Sequence, residues 1–372
     1  MKKNSTVTKK EIEQVASQQR LTVGLDTGDR RSRYCILDEA GEKVSEGGLA
    51  TTKAGLNGLF GQMARSRVAL EVGTHSPWIS RHLESLGHEV IVANAHRVKL
   101  ITQSVRKNDR LDAEKLARLA RVDPKLLSPI RHRGEEAQAD LAVIRARAEV
   151  MKSRTALINC ARGMAKPMGE RLKKCDADQV KQSLADGCSE ALQKVLRPLL
   201  KSVEALSEQI GVYDQQIAAM VPRYREVELL TPVYGVGTLI ALTYVLTLED
   251  AQRFAHSREV GPYVGLQPKQ RDSGERQPEL GISKTGDEFL RSMLVQGAHC
   301  ILRPGAPDCD LRAWGLRKQA SGRKAAKRRA VVGVARKLAV LLHTLWANGE
   351  VYDPIYNRKL AEAAEASKGV AA

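Results

Sequence analysis

Four acidic side chains have types and spacing suited to metal-assisted chemistry on phosphodiesters. Asp26 and Glu71 each close a short apolar run, and Asp109 and Asp112 lie three residues apart on one face of a predicted helix. Carboxylates held together repel one another unless a cation lies among them, and hard oxygen ligands favour Mg²⁺ or Mn²⁺. Two such ions can bind the oxygens of a phosphodiester under attack. The set therefore predicts a metal cluster of catalytic carboxylates.

Each of these residues also has an ordinary structural interpretation. Asp26, which lies just before a glycine turn, is typical of a side chain that bonds to its own backbone. Glu71 is compatible with a surface carboxylate, and Asp109 with a helix N-cap that has Asp112 in the favourable first turn. The four residues together, in this order and on these elements, favour the metal cluster.

A second concentration of polar residues lies in the Gly-rich loop 267–286. Ser273 precedes Gly274 and lies among basic residues. A serine hydroxyl attacks a phosphate well only when its proton is removed or the phosphate is polarised, and basic neighbours bind the charge that develops. A solvated loop serine is the alternative, and residue chemistry alone favours it. Ser283 and Thr285 are predicted to cap the helix that follows. The candidate phosphate-binding residues of this region are Lys269, Arg271, Arg276, Lys284 and Arg291.

Histidine and cysteine spacing argues against two other kinds of site. None of the eight histidines has metal-ligand spacing or an evident serine partner, so a Ser-His-Asp hydrolase is not supported. The six cysteines form no C-x-x-C pair, which argues against a zinc ribbon or finger. Scattered cysteines are typical of a reducing cytosol, where they act as small apolar core residues.

The charge of the chain indicates a polyanionic partner. Sixty Lys and Arg against 43 Asp and Glu give the 372 residues a net charge of +17, which nucleic acid matches most simply. Only 4% of the residues are aromatic, which disfavours a single-strand binder built on base stacking. Nine basic residues fall within 316–337 and predict salt-sensitive contacts with a phosphate backbone. The contact residues expected there are Arg323, Lys324, Lys327, Arg328 and Arg329.

Two further patterns concern location. No apolar run approaches the length of a membrane span, which excludes a transmembrane protein. The start MKKNSTVTKKEIEQ has no apolar segment behind its basic residues and is not a signal peptide. These patterns predict a cytoplasmic, nucleoid-associated protein with no membrane partner.

The apolar pattern of the first third predicts a mixed α/β domain. Apolar runs with turn residues between them predict strands, and helical spacing predicts helices. The order is three antiparallel strands, then helix, strand, helix, strand, helix, which is the layout of a ribonuclease-H-like domain. In that layout the strands that end at Asp26 and Glu71 are neighbours. The predicted strands are 21–28, two within 32–50, 67–72 and 88–94, and the predicted helices cover 56–63, 77–87 and 109–121.

The next region, 134–225, carries helix patterns without a strand signal. Heptad spacing of apolar residues predicts two long helices joined over 163–188, either as an antiparallel coiled-coil hairpin or as part of an ordinary bundle. The run 229–245 contains Pro232, a Gly-Val-Gly turn and an apolar helix. That order fits a helix-hairpin-helix element whose turn can offer N–H groups to a phosphate, although many tight helix connections also use glycine.

Several motifs resemble those of the Piv/MooV-type transposases of insertion sequences. Asp26 in GLDTG, Glu71 in ALEVG, and Asp109 with Asp112 in KNDRLDAEKLARLA resemble the DEDD set of a RuvC-like domain. The runs TPVYGVGTLIA, YVGLQPKQRDSG and GISKTGDEFLRSMLVQGA resemble the second characteristic domain, and KRRAVVGVARKLAVLLHTLWANGE resembles the C-terminal helix. The resemblance covers about 20 to 350. Many members have Asp-Val-His in the first motif, whereas Thr27 and Gly28 follow Asp26 here.

The resemblance implies a site-specific DNA recombinase that cuts and rejoins DNA. It implies Ser273 as the nucleophile of a covalent phosphoserine link, with Asp26, Glu71, Asp109 and Asp112 holding Mg²⁺ (or Mn²⁺) nearby. It implies a homo-oligomer, a dimer that assembles to a tetramer, whose composite site takes its two domains from different protomers. It also implies a structured bridge RNA that pairs with double-stranded donor and target DNA, so that base pairing reads the sequence.

The predicted fold class is α/β plus α. It consists of a RuvC/RNase-H-like N-terminal domain, a helical coiled-coil arm, and a mainly α-helical C-terminal domain with a helix-hairpin-helix-like element. The expected parts are a polar tail 1–18, the DEDD domain 19–125, the arm 126–227, the serine-bearing transposase domain 228–350 with its basic C-terminal helix, and a tail 351–372.

Three other functions stay open from the residues. A RuvC-like nuclease or junction resolvase would use metal-bound water as nucleophile, but it leaves 226–350 without a purpose. A sugar-kinase or actin-like phosphotransferase needs a second Gly-rich phosphate strand and an adenosine loop, which the spacing does not provide. A non-catalytic nucleic-acid architectural protein would keep the carboxylates for structure alone.

Overall fold

The structure is a computed structural model that describes residues 21–94, 109–270, 280–321 and 325–362, without the side chains of Asp109 and Arg110. These residues form two compact units that divide between Arg133 and Gly134. The first unit is built on a β-sheet, and the second is mainly helical.

The first unit contains a five-stranded mixed sheet with the order β3-β2-β1-β4-β5. Strand β1 pairs antiparallel with β2 and parallel with β4, while β2–β3 is antiparallel and β4–β5 is parallel. The five predicted strands and the antiparallel order of the first three are confirmed. The strands are β1 Thr22–Asp26, β2 Arg31–Leu37, β3 Lys43–Ala50, β4 Arg67–Glu71 and β5 Glu89–Ala93.

Three helices in the described part of the first unit cover the two faces of this sheet. They are α1 Lys53–Phe60, α2 Ser76–Ser85 and α3 Asp109–Val122, close to the predicted ranges. Phe60 of α1 and Ile79 of α2 share one buried core with Leu25 of β1. Leu116 of α3 packs with Ala69 of β4 in a separate cluster, because alternate strand residues point to opposite faces.

Helix α3 lies directly on the backbone of β1 at Gly24. A Cβ atom at Gly24 would be 1.9 Å from the carbonyl oxygen of Ala113 and 2.6 Å from the amide nitrogen of Ala117. Real Cβ atoms do not approach other atoms this closely, so only glycine fits. Buried alanines face the strand from α3, which keeps the two backbones in contact.

The second unit begins with two antiparallel helices of 31 residues each, α4 Glu135–Ala165 and α5 Glu190–Met220. Residues 134–225 are all described and contain no strand, as predicted. The start of α4 shares a core with the end of α5, and Ile158 in the second half of α4 packs with Leu192 and Leu196 near the start of α5. The remaining helices are α6 Glu226–Leu230, α7 Thr238–Leu248, α8 Val260–Tyr263, α9 Glu288–Leu302, α10 Asp310–Gln319 and α11 Ala326–Asn348.

Helix α7 forms the centre of the second core, and the turn before it is tightly packed. The Tyr244 hydroxyl is buried and donates to the Ala339 carbonyl at 2.7 Å. Gly235 has φ +85°, and a Cβ there would lie 2.7 Å from the carbonyl oxygen of Gly297 in α9. This glycine of the predicted Gly-Val-Gly turn therefore permits a close crossing of two backbones.

Helix α11 is long and apolar enough to cross a membrane by length and composition. This corrects the expectation that no apolar run reaches such a length. Half of its apolar window is buried within the protein, where Val334, Leu338 and Leu342 are fully covered. A core helix meets the same length and composition test, and this packing accounts for the apolar residues of α11.

Candidate active site and nucleic-acid interface

Two of the predicted catalytic carboxylates lie at the same edge of the sheet. Asp26 is the last residue of β1 and Glu71 is the last residue of β4, and both are half-buried. The two strands are parallel neighbours, and Leu25 pairs with Leu70 in the register just before the carboxylates. The expected adjacency of the two strand ends is therefore present.

Helix α3 brings a third carboxylate to this edge. The Arg67 guanidinium at the start of β4 donates to the Ala120 carbonyl late in α3 at 3.1 Å, while Ala113 lies over Gly24 of β1. Helix α3 therefore runs antiparallel to β1 and β4, with its first turns beside their carboxyl ends. Asp112 in those turns is half-buried, and its carboxylate lies 3.4 Å from the Lys115 ammonium.

An ion pair on the outer side of α3 ties the helix to β3. The Lys43 ammonium lies 2.7 Å from the Glu114 carboxylate, and Arg118 bonds to the same group at 2.8 Å. The hydrogen bond from Lys43, followed by that from Arg118, lowers the pKa of Glu114. Glu114 therefore stays charged and restrains the helix that carries Asp112.

The carboxylates supply the oxygen ligands that a hard divalent cation prefers. Within the described residues, however, no group of three His, Cys, Asp or Glu is placed to hold a metal ion. Asp109 begins α3 one turn before Asp112, but its side chain lies outside the described residues. The donor chemistry at this edge fits Mg²⁺, and the described side chains do not form a complete ligand set by themselves.

Hydrogen bonds that run from an indole through an imidazole to a carboxylate join the loops that follow β1 and β4. The Trp78 indole N–H donates to His75 Nδ1 at 3.1 Å, and His75 Nε2 lies 3.1 Å from an Asp29 carboxylate oxygen. Because indole can only donate, Nδ1 accepts, and Nε2 carries the proton given to Asp29. Asp29 thus links the loops beyond Asp26 and Glu71.

Two histidines have serine partners, which corrects the expectation that none does. His132 Nε2 lies 2.8 Å from Ser76 Oγ, and His343 Nδ1 lies 2.9 Å from Ser257 Oγ. Ser76 is fully buried and donates to the Gly73 carbonyl at 2.8 Å, while His343 Nε2 donates to a backbone carbonyl. The Ser76 hydroxyl and the His343 ring therefore stabilise nearby backbone through these hydrogen bonds.

The loop that contains Ser273 closes on a short paired neck. Pro268 and Ile282 form an antiparallel bridge. The Lys269 amide donates to Gly281 at 2.9 Å, and the Ser283 amide donates to Gln267 at 2.8 Å. The neck thus fixes both ends of the loop, whereas Arg271, Ser273 and Arg276 lie outside the described residues.

Two predictions at the end of this loop are wrong in detail. Asp287, not Ser283 or Thr285, caps α9, because its carboxylate accepts from the Leu290 amide at 2.9 Å. The Ser283 and Thr285 hydroxyls bond to each other at 3.0 Å. Asp287 also pairs with Arg145 of α4 at 2.6 Å.

The basic side chains around the neck divide into exposed and buried groups. Lys269 and Lys284 are exposed. Arg291 is buried instead, and its guanidinium donates to the carbonyls of Val264 at 3.0 Å and Thr285 at 3.4 Å. This buried position does not fit the expected contact of Arg291 with a phosphate. The Arg291 side chain instead joins the two ends of the loop.

The basic stretch near the C-terminus lies on α10 and the start of α11. Lys327, Arg328 and Arg329 are exposed in the first turn of α11, whereas Arg323 and Lys324 lie outside the described residues. The Trp314 ring of α10 is contacted by the ammonium of Lys337 at 5.0 Å and of Lys318 at 5.8 Å. Two exposed cations thus lie against a partly buried aromatic ring.

Comparison with known proteins gives matches along both units. A family model described as transposase, of the DEDD type, matches residues 23–168, and a second, described as the transposase IS116/IS110/IS902 family, matches residues 227–309. The transposase for insertion sequence element IS1111A of Coxiella burnetii is 30% identical over 252 residues, which cover 66% of this chain and 68% of that protein. The chain belongs to the IS116/IS110/IS902 family of transposases.

Two further relatives extend the similarity. A probable family 20 transposase of Pseudomonas aeruginosa is 28% identical over 309 residues, covering 81% of this chain and 90% of that protein. The transposase for insertion sequence element IS1328 of Yersinia enterocolitica is 28% identical over 242 residues, which cover 63% of this chain and 71% of that protein. The recognition of an insertion-sequence transposase from the motifs is confirmed. Membership of this transposase family makes the chain an enzyme of DNA cleavage and transfer.

Some contacts that organise the sheet edge of this transposase have little or no signal in its sequence. Gly24 had one available signal, since a glycine inside a strand often marks a close backbone approach. The His75–Asp29 contact had none, because the two residues are 46 positions apart. At the neck of the Ser273 loop, the inward position of Arg291 also has no signal, because charge alone does not tell whether a side chain points inward.

Replacing Arg291 by methionine in this transposase is expected to lower the free energy of unfolding by about 1–3 kcal/mol. The change keeps an apolar stem but leaves the buried carbonyls of Val264 and Thr285 without their donor. Chemical unfolding measures the effect. The exposed Arg258 provides a matched control, and its methionine variant is expected to stay within about 0.5 kcal/mol. Equal stability of the two variants would show that Arg291 does not hold the neck.

Proposed function

We propose that the chain is a RuvC-like DEDD recombinase that cuts and rejoins DNA through Ser273. The observation that carries the proposal is that Asp26, Glu71 and Asp112, from three separate elements, share one edge of the sheet. The strand order β3-β2-β1-β4-β5, with antiparallel pairs on one side and parallel pairs on the other, supports the RuvC/RNase-H-like assignment.

In the proposed reaction, the Ser273 hydroxyl oxygen attacks a DNA phosphorus. A serine–phosphate ester forms as one bond from phosphorus to a sugar oxygen breaks, and that oxygen leaves with a proton as a free hydroxyl. Lys269 and Lys284 at the neck hold the phosphate during the attack. Attack by the freed hydroxyl of another strand reverses the step and rejoins DNA.

The carboxylates Asp26, Glu71, Asp109 and Asp112 would hold Mg²⁺ or Mn²⁺. When bound, the ion neutralises charge on the phosphate oxygens and lowers the barrier to attack. The chain contributes by fixing the direction of these carboxylates through the close packing of α3 on Gly24 and through the Lys43–Glu114 ion pair.

The start of α11 supports a phosphate contact on physical grounds. A helix N-terminus carries partial positive charge, so the exposed cations Lys327 and Arg328 in the first turn repel it. A DNA phosphate would offset this repulsion, because its negative charge attracts both the cations and the helix N-terminus. Arg323 and Lys324 extend the same basic run in the sequence.

The proposed partners follow from the resemblance and from the charge of the chain. They are double-stranded donor and target DNA, and a structured guide RNA that pairs with both. The proposed assembly is a dimer that forms a tetramer, in which the carboxylates of one protomer act with Ser273 of another. The net charge of +17 supports polyanionic partners, and the proposed location is the cytoplasm, at the nucleoid.

A test of the proposed function begins with the protein expressed together with the DNA that flanks its gene. Sequencing of co-purified RNA is expected to yield one discrete structured RNA from that flank. Incubation with donor DNA and Mg²⁺, followed by denaturing electrophoresis and mass spectrometry, is expected to yield a protein–DNA adduct at Ser273. Strand cleavage without an adduct would favour a nuclease that uses water as its nucleophile.

Replacing Glu71 by glutamine is expected to reduce strand cleavage by roughly 10²-fold while DNA affinity stays within about twofold. The amide has the same shape but lacks the negative charge that strengthens the binding of a divalent cation. The matched control is Glu42→Gln, the same chemical change at an exposed residue between β2 and β3. Quantitative cleavage and binding assays separate the two effects, and unchanged cleavage in Glu71→Gln would remove this carboxylate from the proposed cluster.

A further inference from the structure

The far end of the α4–α5 hairpin is a folded cap with its own core. The connection 166–189 packs Leu172, Val180 and Ala185 against the end of α4 and the start of α5. The Glu170 carboxylate accepts from the Ser189 amide at 2.8 Å and from its hydroxyl at 2.6 Å. Both bonds lower the pKa of Glu170, and the bond from the Ser189 hydroxyl has the larger effect. The connection is therefore held in one conformation.

This cap turns its apolar residues inward and its basic residues outward. In the run Arg-Leu-Lys-Lys-Cys from 171 to 175, Leu172 and Cys175 join the small core. The residues between and beside them are exposed, as are others on the same cap. We call these residues the arm-end basic surface: Lys166, Arg171, Lys173, Lys174 and Lys181.

The five cations of the arm-end basic surface lack carboxylate partners in the part of the chain that the structure describes. The acidic residues of the same cap are mostly engaged elsewhere: Glu170 with Ser189, Asp178 with the buried Arg154, and Asp186 with Arg197 at 3.0 Å. Asp176 remains exposed beside the surface. Like charges gathered without counter-charges repel one another, so an anionic partner would stabilise this arrangement.

We propose that the arm-end basic surface is a second nucleic-acid contact that binds the sugar-phosphate backbone without reading its sequence. The length of α4 is compatible with one nucleic acid that contacts both the neck and the arm end. From Arg145, which bonds to Asp287 beside the neck, to Lys166 is 21 residues along α4, or about 32 Å. That length is about one turn of a B-form duplex. A nucleic acid of two turns is therefore long enough to contact the neck and the arm end together.

Exposed apolar residues near the same end, Met164 and Met168, leave a protein contact as the competing interpretation. The charges favour nucleic acid, because a protein partner would have to supply several carboxylates to five unpaired cations. The proposal rests on the action of the transposase on nucleic acid, but it does not require Ser273 to be the nucleophile.

The test compares two triple variants of the full-length protein that remove the same charges. Arg171→Gln, Lys173→Gln and Lys174→Gln remove three unpaired cations of the arm-end basic surface. Lys152→Gln, Lys194→Gln and Arg197→Gln remove three exposed cations of the same arm that each face a carboxylate, at 3.5, 2.8 and 3.0 Å. Binding to a duplex DNA and to a structured RNA is measured over a salt series with a chelator present, so that no strand chemistry occurs.

For the arm-end variant, the slope of log affinity against log salt is expected to become less negative by about 2 to 3, with at least a roughly tenfold loss of affinity near 0.1 M salt. The control variant is expected to change the slope by less than about 1. The probe that shows the loss identifies DNA or RNA as the source of the phosphates.

Equal slopes in the two variants would overturn the proposal, because net charge alone would then explain binding. An unchanged slope with a lower molar mass by light scattering would also overturn it and assign the surface to a protein contact. Failure of this proposal would leave the adduct at Ser273 intact, and failure of the adduct would leave the salt slopes intact. The two hypotheses are therefore distinguishable.

Discussion

Ser273→Ala is expected to abolish the covalent protein–DNA adduct and to reduce recombination by about 10³-fold or more. The alanine removes the only oxygen that the proposed reaction joins to phosphorus, and the remaining binding groups cannot replace a missing nucleophile. DNA affinity is expected to remain within about twofold, because the basic residues of the neck and of α11 are unchanged. Adduct yield, recombination frequency and DNA binding are measured on the same preparation.

A second serine serves as the control for this result. Ser292 lies on α9 beyond the loop, is exposed, and donates its hydroxyl to the Phe289 carbonyl at 2.7 Å. Ser292→Ala is expected to leave both the adduct and recombination unchanged. An adduct that persists in Ser273→Ala, or that maps to another residue in the wild-type protein, would remove Ser273 from the proposed mechanism.

Gly24→Ala is expected to lower the free energy of unfolding of the first unit by about 3 kcal/mol or more. The added Cβ would lie 1.9 Å from a carbonyl oxygen of α3, so the clash involves two backbones and no side chain can rotate away. A loss of this size lowers the melting temperature of a unit of this size by roughly 10 °C. Helix α3 has to move to relieve the clash, so strand cleavage is expected to fall with stability.

Gly58 of α1 provides the opposite outcome with the same chemical change. A Cβ at Gly58 meets no atom within 4 Å, and the residue lies inside a helix. Gly58→Ala is therefore expected to stabilise the protein by about 0.5–1 kcal/mol, because alanine loses less conformational entropy in a helix. Thermal unfolding of both variants measures the difference. If Gly24→Ala were as stable as Gly58→Ala, α3 would not be packed on β1 as the structure has it.

Local patterns in the sequence predict helices and strands, but they do not predict tertiary contacts such as that of Gly24 with α3. The strands β1 and β4 are short apolar runs bounded by polar residues, and the heptads of α5 repeat along the chain. Such signals are local, because they depend on which face of one element is apolar. The five strands and the long helix pair were accordingly predictable, within a few residues at their ends.

The candidate site was predictable only in part. The placement of Asp26 and Glu71 at strand ends follows from the apolar runs, and their adjacency follows from the strand order. The direction of α3, which brings Asp112 to the same edge, depends on contacts between residues about 90 positions apart, such as Gly24 with Ala113. No pattern in either segment alone specifies that contact.

Charge shows the same division between local pattern and tertiary structure. The basic composition indicated a polyanionic partner, and the motifs of both units indicated the transposase family. Both inferences need only the residue types and their order, which the sequence provides. Which cations are available to a phosphate was decided by folding. Arg291 is turned inward onto two carbonyls, whereas the cations of the arm-end basic surface are held outward by a small core beneath them. Burial depends on residues distant in sequence, so composition and order specify the chemistry of this protein, and packing selects the side chains that can perform it.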